Sequence, residues 1–133
     1  MDSKVIVSPS LLSGDFSRLG LEAQRLLENG AEWIHFDVMD GNFVPNITFG
    51  SKVVKDVRNA VVGGVFDVHL MISNPEKYAV EFCKAGADYL TFHIEATDNF
   101  METYDIIEAV HKVGAKVGLS IKPNTKVSKL EPY

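Results

Sequence analysis

Hydrophobic residues along this chain fall into two alternating kinds of segment. Short apolar runs rich in β-branched and aromatic side chains occur at Val5 to Val7, Trp33 to Val38, Val65 to Leu70, Tyr89 to Ile94 and Lys116 to Ile121. Each is bounded by turn residues, and such runs predict strands. Between them apolar residues recur at helical spacing: Phe16, Leu19, Ala23, Leu26 and Leu27; Val53, Val54, Val57 and Val61; Tyr78, Ala79, Phe82 and Cys83; Met101, Tyr104, Ile107, Val110 and Val113. The predicted order is β-α-β-α-β-α-β-α-β, within a single domain over residues 1–133. Near-continuous apolar strands separated by amphipathic helices imply a parallel sheet with both faces covered, because right-handed crossovers place the helices outside.

The punctuation agrees. Asp15 or Ser13 is placed to cap the first helix, and Asn74 precedes Pro75 at the first turn of another. Gly30, Gly86 and Gly114 each follow a helical segment that ends in polar or cationic residues, as left-handed helix closers do. The strand starts are roughly 28 residues apart, so eight units would need about 220 residues, the length of a TIM barrel. This chain holds about four and a half such units. A doubly wound open sheet is the structural alternative, but the first turn after a strand, Ser8 to Gly14, lacks the G-x-G-x-x-G of a dinucleotide fold.

Composition narrows the function classes. With 133 residues, 46% of them hydrophobic and 23% charged, the chain has an ordinary globular make-up. One cysteine, Cys83, excludes an internal disulfide framework, and no signal-peptide pattern opens the sequence, so a cytoplasmic location is expected. A net charge of −5 and the lack of any lysine or arginine run argue against nucleic acid and membrane surfaces as partners.

The candidate chemistry lies at the ends of strands. Period-2 alternation puts His35 and Asp37 on one face of the second predicted strand, with Ile34, Phe36 and Val38 on the other. Asp67, His69 and Met71 share a face of the next strand, and the fourth ends in His93 and Glu95. In parallel α/β folds the carboxyl ends of the strands converge on the ligand site. Two imidazoles and a carboxylate suit zinc, iron(II) or manganese, so His35, Asp37 and His69 together favour a metal site. Blander readings compete elsewhere. A buried histidine is commonly a hydrogen-bonded core residue, which applies to His93. Asp67 reads as a solvated or hydrogen-bonded strand aspartate, His111 as a surface residue, and Met39 and Met71 as core filler. Asp40-Gly41-Asn42 is first a turn, and Ser10 a turn or helix-entry residue.

Two segments carry a family resemblance: Val7 to Phe16 (VSPSLLSGDF) and His35 to Gly50 (HFDVMDGNFVPNITFG). Asp67 to Ile72, Thr91 to Ala96 and Gly118 to Thr125 extend it in the same order and spacing. Together they resemble ribulose-phosphate 3-epimerase over essentially the whole chain. The resemblance implies a (β/α)8 barrel, of which this chain supplies about the first four and a half units. It also implies an isomerase of the pentose phosphate pathway that interconverts D-ribulose 5-phosphate and D-xylulose 5-phosphate through an enediolate.

By the same resemblance His35, Asp37 and His69 hold one divalent metal ion, and Asp37 also acts as an acid/base. Ser10, His35, Met39, His69 and Met71 contact the substrate, a small sugar phosphate, with the two methionines as soft walls around the reacting carbons. Epimerisation beside a ketone needs a base, an electrophile and an acid on the opposite face. The family's second acid/base aspartate and its glycine-rich phosphate loops belong to later strands, beyond Tyr133. The 133-residue chain alone is therefore expected to be inactive. The alternatives are a catalytically incomplete fragment that retains metal binding and a sister epimerase for a hexulose 6-phosphate such as allulose 6-phosphate. Strand edges exposed by a partial barrel lead to an expected homo-oligomer.

Overall fold

The computed structural model describes residues 4–133. Four strands, β1 (Trp33–Met39), β2 (Val65–Met71), β3 (Tyr89–His93) and β4 (Lys116–Ser120), alternate with four helices, α1 (Leu19–Glu28), α2 (Ser51–Ala60), α3 (Pro75–Ala85) and α4 (Phe100–Lys112). The sheet runs β1-β2-β3-β4 with every neighbour parallel. This is the sequential βα order expected of a barrel-forming chain, and the sheet is open rather than closed.

Burial along β1 and β2 alternates strictly. Ile34, Phe36 and Val38, and likewise Phe66, Val68 and Leu70, are buried, while the residues between them are half-buried. The buried set packs with Ala23 of α1, Val54 and Val57 of α2, Phe82 of α3 and Val110 of α4. Neighbouring helices touch in chain order, so all four lie on one face. The doubly wound alternative is thereby excluded. The expectation that both faces are covered needs correcting too, because helices cover one face and the other carries the polar residues. Phe36 centres the covered side, with its ring 4.9 Å from Phe66 and 6.0 Å from Phe49. Burying a side chain of this size stabilises by roughly 1.5–3 kcal/mol.

Local signals account for the element ends. The Asp15 carboxylate accepts from the Ser17 N–H at 2.9 Å, capping a 3-10 turn that leads into α1. Pro75 opens α3, although the Asn74 side chain makes no capping bond. Asn99 caps α4 by accepting from the Glu102 N–H at 3.0 Å. Gly86 closes α3 at φ 129°, a conformation that a side chain would strain.

One expected strand does not form. Val5, Ile6 and Val7 lie outside any strand and are 82%, 50% and 59% exposed. Their segment reaches the sheet only at its end, where the His35 N–H donates to the Pro9 carbonyl at 2.9 Å and Ser10 bridges His35 in parallel. Pro9 has no N–H to continue the ladder. Among the described residues no layer packs over these side chains, so burial does not offset the entropy of ordering them. The fourth predicted strand is also one residue shorter than expected, because Ile94 begins a 3-10 turn, Ile94–Ala96.

Candidate metal centre at the carboxyl ends of the strands

The register of β1 against β2 assembles the site. His35 lies beside Asp67, Asp37 beside His69 and Met39 beside Met71, three rungs on the face without helices. β3 adds His93 at its end, with Glu95 two residues further on, and β4 adds Ser120. Two residues of β1 are thereby brought beside one from β2, 32 positions further along the chain.

Ligating atoms of His35, Asp37 and His69 all lie within 4.8 Å of one another. Asp37 Oδ1 sits 3.2 Å from His35 Nε2 and 3.9 Å from His69 Nδ1, between the two rings. Its other oxygen, Oδ2, accepts from the Ser10 hydroxyl. The far side of His35 is held as well, with Nδ1 2.8 Å from Asp67 Oδ2, and Asp67 in turn accepts from the Ser8 hydroxyl at 3.3 Å. His69 Nε2 faces His93 Nε2 at 2.8 Å and the Ser120 hydroxyl at 3.3 Å.

Electrostatics divides the two histidines. Hydrogen bonds to Asp37 and then Asp67 raise His35 to about 9, against the effect of burial. Burial, followed by the nearby charges of His93 and His35, lowers His69 to about 4. Burial likewise lowers His93, so both of these rings are neutral at pH 7. The His35 hydrogen bond holds the Asp37 carboxyl below its ordinary value; burial opposes this and the Ser10 bond assists.

The residues fit a divalent cation. Imidazole, carboxylate and imidazole are a donor set suited to zinc, iron(II) or manganese. Two carboxylates crowd His35, whose proton balances them, and a cation held between His35 and Asp37 would meet the same electrostatic need. His69 is already neutral, the form in which a histidine ligates.

The other sequence expectations find their places. Ser10 lies in the cluster, where its hydroxyl both bonds Asp37 and caps a short turn by accepting from the Leu12 N–H at 3.1 Å. Met39 and Met71 flank the cluster, half-buried. His93 is adjacent to it, Asp67 is hydrogen-bonded as expected, and His111 is exposed on α4. The Asp40-Gly41-Asn42 segment is a turn, with Gly41 at φ 75° and Asp40 accepting from the N–H groups of Asn42, Phe43 and Ser73. What the sequence reading missed is the supporting role of Asp67, Glu95 and Ser120. The parity of Asp67 and Ser120 on their strands was a signal, but their partners depend on register, and Glu95 lies in the turn beyond β3. A cavity of about 760 Å³ opens at the opposite end of the sheet beside Trp33, Val65, Tyr89 and Lys116. Its charged pair, Arg58 and Asp88, is already engaged at 2.6 Å, so the chemistry lies with the smaller polar cluster.

A family model described as the ribulose-phosphate 3 epimerase family matches residues 6–133. The chain belongs to the ribulose-phosphate 3-epimerase family. Ribulose-phosphate 3-epimerase of Candida glabrata is 43% identical to it, over 98% of this chain and 59% of the relative. The enzyme of Treponema pallidum is 46% identical over 98% of this chain and 58% of the relative, and that of Mycobacterium tuberculosis 47% over 96% and 52%. The chain thus spans between about half and three-fifths of the length of these curated relatives. The resemblance carried by Val7 to Phe16 and His35 to Gly50 is borne out, as is the barrel-family order of strands and helices. Among the described residues of this family member, no helix is long and apolar enough to cross a membrane.

Proposed function

We propose that this chain supplies the metal-holding and proton-abstracting part of a ribulose-phosphate 3-epimerase site, acting on D-ribulose 5-phosphate and D-xylulose 5-phosphate. The observation that carries the reading is the convergence of His35, Asp37 and His69 on one sheet face. A zinc, iron(II) or manganese ion held by these three residues would supply the electrophile that stabilises negative charge on the oxygens of C2 and C3.

Asp37 divides its work between its two oxygens. Oδ1 lies between the ring nitrogens and would hold the ion, whereas Oδ2, with the Ser10 hydroxyl on it, takes the C3 proton. Ser10 holds that oxygen in place and presents its own oxygen toward the sugar. Met39 and Met71 restrict water around the reacting carbons without competing for protons, which protects an enediolate from stray protonation. Return of the proton to the opposite face calls for a second acid, which the resemblance places in the family's later strands. Cytoplasmic residence fits this pathway, and a homo-oligomer fits the open sheet.

Removing a proton needs only one base, so exchange of the C3 hydrogen with solvent tests this half of the site. With zinc or manganese added in D2O, the chain should introduce deuterium at C3 of ribulose 5-phosphate, followed by proton NMR, and Asp37→Asn should abolish the exchange. Equal exchange by the wild type and Asp37→Asn would overturn the assignment. Faster exchange into allulose 6-phosphate would shift the substrate to the hexulose.

A further inference from the structure

His69 has two ring nitrogens in different surroundings, and the arrangement behind it determines which of them carries the proton. Nδ1 is 3.9 Å from Asp37 Oδ1, too far for a hydrogen bond, so a proton there has no acceptor within hydrogen-bond distance among the described residues. Nε2 faces His93 Nε2 at 2.8 Å. Two bare nitrogens at that distance repel and two protonated ones collide, so in a neutral pair one proton lies between them.

His93 and Glu95 decide which ring owns it. His93 is 7% exposed, and its Nδ1 lies 3.3 Å from Glu95 Oε2. Both atoms are shut off from solvent and neither makes a hydrogen bond of good geometry among the described residues, the Thr125 hydroxyl being the other group near the Glu95 carboxylate. For the His93 Nδ1 the Glu95 carboxylate is the acceptor within reach. Glu95 is itself pinned through Oε1 by the Lys122 N–H in the loop after β4. If His93 carried its proton on Nε2, its bare Nδ1 would face a carboxylate in a buried setting, which is repulsive. With the proton on Nδ1, His93 donates to Glu95 and its Nε2 accepts from His69.

We propose that His93 and Glu95 are positioning residues that fix the tautomer of His69, placing its proton on Nε2 and leaving Nδ1 bare toward Asp37 and a divalent cation. This deepens the metal reading and rests on His69 being a ligand. It gives both candidate ligand histidines a carboxylate behind them: Asp67 directly for His35, and Glu95 through His93 for His69. Such outer partners orient a ligand ring and strengthen it as a donor. The Ser120 hydroxyl, 3.3 Å from His69 Nε2, is the competing acceptor.

The test is long-range proton–nitrogen NMR of the histidine rings in the metal-free chain at pH 7.5, paired with zinc titration against a chromophoric chelator. His69 should show a protonated Nε2 and a bare Nδ1, and His93 a protonated Nδ1. His93→Leu should mix the His69 tautomers and weaken zinc binding about 10–100-fold. His93→Gln, whose amide can accept from His69 and donate to Glu95, should restore both readouts. Glu95→Gln, which can either donate or accept, should let the second tautomer appear without disturbing the fold. A wild-type His69 protonated on Nδ1 overturns the proposal, and so does a tautomer that responds to Ser120→Ala rather than to His93→Leu. A chain that shows the expected tautomer but binds no zinc overturns the metal reading instead and leaves the tautomer assignment standing.

Discussion

Asp37 and Asp40 are three positions apart and put their carboxylates to different uses. Asp37 lies among ring nitrogens, so on the proposed reading Asp37→Asn would remove an anionic ligand and a proton carrier together while keeping the shape. In a protein carrying the complete site, turnover should fall beyond the 10²–10⁴ typical of losing one general base, because the electrophile weakens as well. Zinc affinity of the chain should fall with it, and an unchanged affinity would rule out the ligand role. Asp40 instead ties the loop after β1 to the loop after β2, through the Ser73 N–H. Burial works against its ionisation, but the N–H groups of Ser73, Asn42 and Phe43 outweigh it and lower its pKa below 3.8. A depressed folded value means that the stabilisation is present above the unfolded value and lost as pH falls through the folded one. The melting-temperature gap between wild type and Asp40→Asn should therefore be widest near neutrality and close below about pH 4. Because Asp40 is exposed, the gap should correspond to no more than about 1 kcal/mol.

The strands and helices depend on particular contacts. Phe36→Ala would empty the centre of the helix-covered side, and a loss of about 3–5 kcal/mol is expected in urea unfolding. A loss under 1 kcal/mol would show that the site collapses around the gap. At the other end of the sheet, Arg58 of α2 donates to the carbonyls of Gly64 at 3.0 Å and Gly86 at 2.7 Å, pairs with Asp88 and stacks 3.4 Å over the Phe66 ring. Lysine has neither the plane nor the fork for this, so Arg58→Lys should cost about 1–3 kcal/mol despite keeping the charge. Such elements were legible in the sequence to different degrees. Trp33 to Val38 and Val65 to Leu70 announced themselves, because apolar runs bounded by turns have few other uses. Val5 to Val7 has the same composition, yet a strand also needs a neighbour and a covering layer, and neither is written in three valine-like residues. The pairing of His35 with Asp67 was hidden for a related reason, since register fixes which residues meet across a sheet. Helical and strand periods describe one element at a time.

Over the whole molecule, both sides of the sheet are open. Among the described residues β4 pairs only with β3, and the outer side of β1 is met by Pro9 and Ser10 and, near its end, by Thr48, with no strand along it. Unpaired strand edges beside the exposed Val5, Ile6 and Val7 favour self-association. Sedimentation velocity should show the chain growing in mass with concentration, and Ile6→Lys should reduce that growth; a monomer at all concentrations would contradict it. The strict in-and-out alternation of β1 and β2 has a consequence for how this sequence can vary. Since Trp33 lies beside Val65, even-numbered positions of both strands face the helices and odd-numbered ones face the polar cluster. Two kinds of selection thus act on interleaved letters of the same short words. A saturation library over 33–39 and 65–71 should sort by parity, with even positions governing how much folded protein accumulates and several odd positions governing zinc uptake at unchanged abundance. Adjacent residues would then be free to evolve at unrelated rates, and a new chemistry could be written into the odd letters without rewriting the fold.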